Sequence, residues 1–144
     1  MAWHHLLFEL SLILNIVITV VYWSLLHEEL VLFYADDDLR FFQVCVVHLL
    51  PLCCSIINLF ITDIVFIQSH AYYLLYVAVV YSAVNFVSTK MKGEPVYSFL
   101  TWEDSNSLIM VGGIFGGALF MFKCLVLMTE SLKNRSASLG NKLD

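Results

Sequence analysis

The fold is decided by stretches such as residues 6–26, LLFELSLILNIVITVVYWSLL, in which Glu9 is the only charged side chain. About 20 apolar residues in a helix cross the hydrocarbon core of a bilayer. Comparable runs occupy residues 41–67, 71–87 and 108–128. We therefore predict an all-α, polytopic membrane protein. It would be a four-transmembrane-helix up-down bundle in a single membrane domain, residues 1–144, ending in a polar C-terminal tail, residues 129–144.

Composition supports a membrane environment and excludes several classes of protein. The chain is 60% hydrophobic and 13% charged, whereas soluble domains have about 45–50% apolar and about 25% charged residues. Seven Lys and Arg residues and a net charge of -5 offer no basic stripe for nucleic acid. The His and Cys spacings fit no metal motif. We predict membrane lipids as partners, with no nucleic acid, no metal and no cofactor.

The segments outside the apolar runs are short. The N-terminal MAWHHLLFEL carries no Lys or Arg, unlike a signal or transit peptide, so we expect the first run to be a retained span. Residues 27–40 read as an acidic loop, within which LVLFYA would lie at the interface. Glu9 and Asp63 fall near predicted helix ends. They would either reach interfacial water or orient His48 and carry protons.

Polar residues form one stripe on each of three predicted helices, within about 80° at 100° per residue. The stripes predict a shared polar interior, either for hydrogen bonds between helices or for a polar pocket that serves chemistry or binds a lipid headgroup. They contain Ser11, Asn15, Thr19 and Tyr22 on the first helix, His48, Ser55, Asn58 and Thr62 with Pro51 on the second, and Tyr81, Asn85 and Ser88 on the third.

The fourth apolar run contains GGIFGG, residues 112–117. Gly112 with Gly116, and Gly113 with Gly117, form two interleaved small-xxx-small pairs. Such pairs allow another helix backbone to approach closely. The motif predicts tight helix packing, either within the chain or against another subunit.

Four short motifs, in order, resemble the androgen-induced membrane hydrolase family and the related rolling stone membrane proteins. They are VVYWSLL (residues 20–26), VHLLP (47–51), VVY ending at Tyr81, and VYSFLTW (96–102). The family contains polytopic helical proteins, and its hydrolases cleave fatty-acid esters of hydroxy fatty acids with a threonine and a histidine. The resemblance implies that His48, ahead of Pro51, matches the family histidine, and that Tyr81 and Tyr97 match two family tyrosines.

The resemblance also has departures. The hydrolases place their threonine nucleophile in helices that precede the point matched by this chain's first span, so we expect it to be missing here. Ser98 replaces a family proline, and Thr101 replaces an acidic residue common in rolling stone proteins. Thr19 lies on the polar face but does not match the family threonine.

Three functions follow from these patterns. The first is a non-catalytic subunit of a larger membrane complex, by analogy a respiratory one, in which other membrane-protein subunits are partners. The second is an intramembrane lipid ester hydrolase with His48 as base and Thr19 or Ser55 as nucleophile. The third is a lipid- or quinone-binding module. The mitochondrial inner membrane and the endoplasmic reticulum both remain as locations.

Overall fold

A computed structural model describes residues 3–62 and 64–140. The described residues form helices, turns and loops without a strand. Four helical segments are long and apolar enough to cross a membrane: Trp3–Phe33, Asp38–Ile61, Gln68–Lys92 and Ser105–Arg135. This confirms the predicted all-α class of integral membrane protein with four candidate spans. The chain divides into two compact units, Met1–Phe66 with Leu125–Asp144, and Ile67–Cys124.

The first segment is longer than the sequence predicts. Helix α1 (Trp3–Val21) runs into a π-helical turn (Tyr22–Leu26) and then into α2 (His27–Phe33). The amide of His27 donates to the carbonyl of Tyr22, five residues earlier. The expected acidic loop at residues 27–40 is therefore wrong in its first half. Glu28 and Glu29 fall in the first turn of α2, within this continuous helical segment.

Helix α3 (Asp38–Ile61) carries Pro51 in its interior. Asp37 begins it, because its carboxylate accepts a hydrogen bond from the amide of Arg40 at 3.1 Å, which is a standard N-cap. The helix ends at Ile61, earlier than the predicted limit of residue 67. The backbone leaves the helix at Thr62, whose conformation is extended. The freed amide of Phe66 donates to Thr129 Oγ1 at 3.1 Å, so tertiary pairing replaces the helical hydrogen bond there.

The second unit begins with a 3₁₀ turn (Gln68–His70) and α4 (Ala71–Lys92). Gly93 ends α4 in the left-handed conformation, with φ 73°, and its amide donates to the carbonyl of Thr89 at 3.0 Å. This is the usual glycine C-cap. After a loop, Asp104 caps α5 by accepting from the amide of Asn106 at 3.1 Å.

Helix α5 (Ser105–Gly140) supplies residues to both units. The polar segment predicted as a tail from residue 129 is therefore helical as far as Gly140. Asp63 and the last four residues of that tail, 141–144, lie outside the described residues.

Candidate functional site

Helices α1 and α3 pack through the two polar stripes that the sequence places on them. Asn15 Nδ2 donates to Ser55 Oγ at 2.9 Å and also lies 3.4 Å from the carbonyl oxygen of Pro51. The side-chain amide of Asn15 has two N–H donors, so one side chain can make both contacts at once. Hydrogen bonds of this kind join helices in the absence of water.

One turn closer to the C-terminal end of α1, Thr19 supports the segment around the proline. Its hydroxyl donates to the backbone carbonyl of His48 at 2.7 Å. Proline lacks an N–H and distorts the hydrogen-bond ladder of the preceding turn. Side chains of neighbouring helices commonly satisfy the carbonyl groups near such a distortion. Thr19 therefore stabilises the proline-containing turn of α3.

The imidazole of His48 has two defined contacts. Its Nδ1 lies 2.7 Å from the carbonyl oxygen of Val44, and because a carbonyl only accepts, Nδ1 carries the hydrogen. The ring stacks on Tyr22, with centroids 4.2 Å apart and an interplanar angle of 17°. The neutral ring then presents Nε2 as an acceptor. Among the described residues, none donates a hydrogen bond to His48 Nε2, and the side chain is half-buried.

Tyr22 is the centre of a cluster that the sequence patterns do not reveal. It is completely buried, and its hydroxyl lies 3.3 Å from Cys45 Sγ and 3.4 Å from His27 Nδ1. The ring of Trp23 lies 4.4 Å from that of His27, centroid to centroid. Tyr22 and Trp23 belong to the π-helical turn and His27 follows it, whereas Cys45 comes from α3. Turns of this kind occur frequently at functional sites.

Thr19 and His48, the nucleophile and base of the hydrolase hypothesis, are adjacent but not connected through their reactive atoms. The Thr19 hydroxyl donates to the His48 backbone, not to its ring. A carbonyl oxygen is not basic enough to take the hydroxyl proton, and a threonine nucleophile needs a base within hydrogen-bond reach. Ser55 Oγ receives its hydrogen bond from Asn15.

The polar residues of α4 make contacts within the second unit. Asn85 is 5% exposed, and its Oδ1 accepts from the indole Nε1 of Trp102 at 2.7 Å. Trp102 has φ 59°, an unfavourable value for a bulky residue. Ser107 Oγ also accepts from its amide at 2.9 Å. These contacts hold the loop before α5.

Tyr81 and Tyr97, the two tyrosines of the resemblance, are joined by a hydrogen bond of 3.2 Å between their hydroxyl groups. Asn58, by contrast, has an exposed side chain, and its backbone carbonyl accepts from Thr62. The structure therefore joins Asn15 to Ser55 but does not bring Asn58 to them. A polar interior shared by all three stripes stays a prediction.

Glu9 corrects an expectation. The sequence favoured contact with interfacial water, or orientation of His48. Glu9 is instead completely buried, and its Oε1 lies 3.1 Å from Nε2 of His5. The same Nε2 lies 2.9 Å from the carbonyl of Val65. The i,i+4 spacing of His5 and Glu9 is the sequence signal that identifies this pair.

The glycines of α5 lie on an open helix face. A Cβ atom built on Gly112, Gly113, Gly116 or Gly117 would meet no atom within 4 Å. All four glycines are exposed, whereas Ala118 and Phe122 on the same helix are buried. The predicted close packing of these glycines against a helix of the same chain is therefore absent among the described residues.

Residues 3–62 and 64–140 contain no group of three or more His, Cys, Asp or Glu residues that would hold a metal ion. No protein-family model matches the chain, and neither a curated protein nor a solved structure matches it. The resemblance to the androgen-induced hydrolase family therefore stays a prediction.

Proposed function

We propose that the chain is a non-catalytic integral membrane subunit, held in a larger membrane-protein complex by the open face of α5. The observation that carries the proposal is the empty space above Gly112, Gly113, Gly116 and Gly117. Each glycine in a helix interior costs about 0.8–1.0 kcal/mol relative to alanine. Close contact with another helix, through van der Waals packing along the small residues, offsets that cost in a membrane.

The contacts between α1 and α3 also favour a structural role. Asn15, Thr19 and Ser55 each use their polar atoms to join the two helices. Groups engaged in this way stabilise the helix pair, and in this arrangement Thr19 is not activated by the His48 ring. A hydrolase would require the Thr19 hydroxyl to turn from the carbonyl to Nε2 of His48.

A lipid- or quinone-binding module is a second candidate, favoured by the half-buried ring of His48, which would bind a quinone in its reduced quinol form. With Nδ1 donating to Val44, Nε2 is the acceptor, so it suits a hydroxyl donor. The ring of Tyr22, which is completely buried, stacks on the imidazole and fixes its orientation. Mass spectrometry of the purified protein should then show one enriched lipid or quinol species, which His48→Phe removes. Bulk lipid composition would refute this candidate.

The proposal extends to the compartment. Small accessory subunits are common in energy-transducing membranes. By this analogy the mitochondrial inner membrane is favoured over the endoplasmic reticulum. Fractionation of tagged protein, expressed in its own cells, distinguishes the two membranes.

Native electrophoresis after mild detergent extraction tests the main proposal. The wild-type chain should migrate in an assembly much larger than its 16.5 kDa. Gly116→Ile should release it, because the added side chain blocks close helix approach. Ala83→Ile is the matched control, since Ala83 is another small, exposed residue on a candidate span. A monomeric wild type would refute the proposal.

A further inference from the structure

Lys123 is the charged residue inside the apolar part of α5. It lies in the candidate span Ser105–Arg135 and its side chain is exposed. No ion pair or hydrogen bond of the described residues involves its ammonium group. At 100° per residue, Lys123, Gly112 and Gly116 lie within about 40° of one another around the helix. We call the surface formed by Gly112, Gly116 and Lys123 the glycine–lysine face.

An ammonium group on a lipid-facing surface of a span is unfavourable, so charged residues in spans generally face a protein partner or water. Lys123 lies five residues before the end of the apolar run 108–128, or about 8 Å along the axis. Helical side chains tilt toward the N-terminus of their helix. This tilt directs the Lys123 side chain back toward the glycines and away from the nearer interface, which disfavours snorkelling.

We propose that the glycine–lysine face binds a transmembrane helix of a different chain, whose carboxylate pairs with Lys123. This inference rests on the proposed function as a subunit and names the chemistry of the partner. The glycines allow the partner backbone to approach, and the low dielectric then strengthens the ion pair.

A second copy of this chain does not fit the same face. Two copies inserted with the same topology are related by an axis along the membrane normal, so their α5 helices run parallel. That arrangement places Lys123 against Lys123, and like charges repel most strongly in a low dielectric. The positive charge of Lys123 therefore favours a partner with a different sequence over a second copy of this chain.

The geometry also predicts the pattern of the partner sequence. Gly116 and Lys123 are seven residues apart, which is about 10 Å or two helical turns. The partner helix should therefore carry a small-xxx-small pair and an Asp or Glu about seven residues from it. The acidic residue follows the pair in a parallel partner and precedes it in an antiparallel one.

Designed transmembrane peptides test the inference. Each is a Leu/Ala helix with one Gly-x-x-x-Gly pair and a Glu seven residues after or before it, with a matched Gln peptide for each. Full-length protein is reconstituted into zwitterionic phosphatidylcholine vesicles at pH 8, and binding is measured by fluorescence transfer to labelled peptide. One Glu peptide should bind more tightly than its Gln match by roughly tenfold or more.

Lys123→Met should abolish that difference while it leaves binding of the Gln peptide and the helix content by circular dichroism unchanged. Equal binding of Glu and Gln peptides would overturn the inference. So would stronger association of the chain with a labelled copy of itself. In native electrophoresis, an assembly that survives Lys123→Met but not Gly116→Ile would overturn the inference and leave the proposed function intact. Absence of any assembly would overturn the function itself.

Discussion

The hydrogen bond from Asn15 Nδ2 to Ser55 Oγ should contribute a measurable coupling energy between α1 and α3. At 2.9 Å it is an ordinary, well-formed bond. The second contact of Asn15, at 3.4 Å from the Pro51 carbonyl, is at the outer limit and adds little. Side-chain hydrogen bonds between membrane helices average about 0.6 kcal/mol and reach about 1.7. We expect a coupling of about 1 kcal/mol, or roughly a fivefold change in the unfolding constant.

A double-mutant cycle isolates this coupling. Asn15→Ala, Ser55→Ala and the double variant are unfolded reversibly in mixed micelles by increasing the fraction of sodium dodecyl sulfate, and helix content is followed by circular dichroism. The loss of packing in each single variant cancels in the cycle. Asn15→Ala with Cys54→Ala provides the control cycle, because Cys54 is an exposed neighbour of Ser55 on α3. A coupling no larger than that of the control cycle would refute the reasoning.

Substitutions at three further positions use the same unfolding assay. Thr19→Val should cost about 1 kcal/mol, because the carbonyl near the proline loses its donor, whereas Thr19→Ser should be nearly neutral; equal losses would contradict this. Asn85→Leu should cost about 1–3 kcal/mol, since it removes the buried acceptor of the half-buried indole N–H of Trp102, and a shifted Trp102 emission should accompany the loss; unchanged stability would contradict it. Glu9→Ala should cost about 2–4 kcal/mol, because it removes the buried oxygen that contacts His5 Nε2. Glu9→Gln should cost less, since its amide oxygen can still accept from His5; an unchanged stability of Glu9→Ala would contradict this.

The class of fold could be predicted because lipid imposes a simple requirement. A run of about 20 apolar residues must form a helix to satisfy its own backbone. Hydropathy does not report where such a helix ends. The residues around Phe66 are apolar but not helical, because the Phe66 amide is satisfied by Thr129. That partner is 63 residues away, and no local pattern reveals it.

The part of the candidate site between α1 and α3 could be predicted from the sequence, because the helical period alone determines which residues of these helices face each other. The helical period predicts that Asn15, Thr19, His48 and Ser55 lie on helix faces that meet. It does not predict which of their atoms form hydrogen bonds. The Tyr22 cluster depends on the π-helical turn, which has no signature in composition. The polar stripes lie on the first three predicted helices and do not include Lys123, which is a single charge in the fourth apolar run. A charged residue in such a run is itself the signal.

The π-helical turn at Tyr22–Leu26 has a consequence for chain length. Its defining hydrogen bond joins His27 to Tyr22 over five residues, one more than an α-helix uses. Removal of a single residue from this turn converts it to an ordinary α-helical turn, and α1 and α2 both remain helical. At other positions in the span, a one-residue deletion rotates every later side chain by about 100°. Homologous chains that differ in length by one residue should therefore place the gap here.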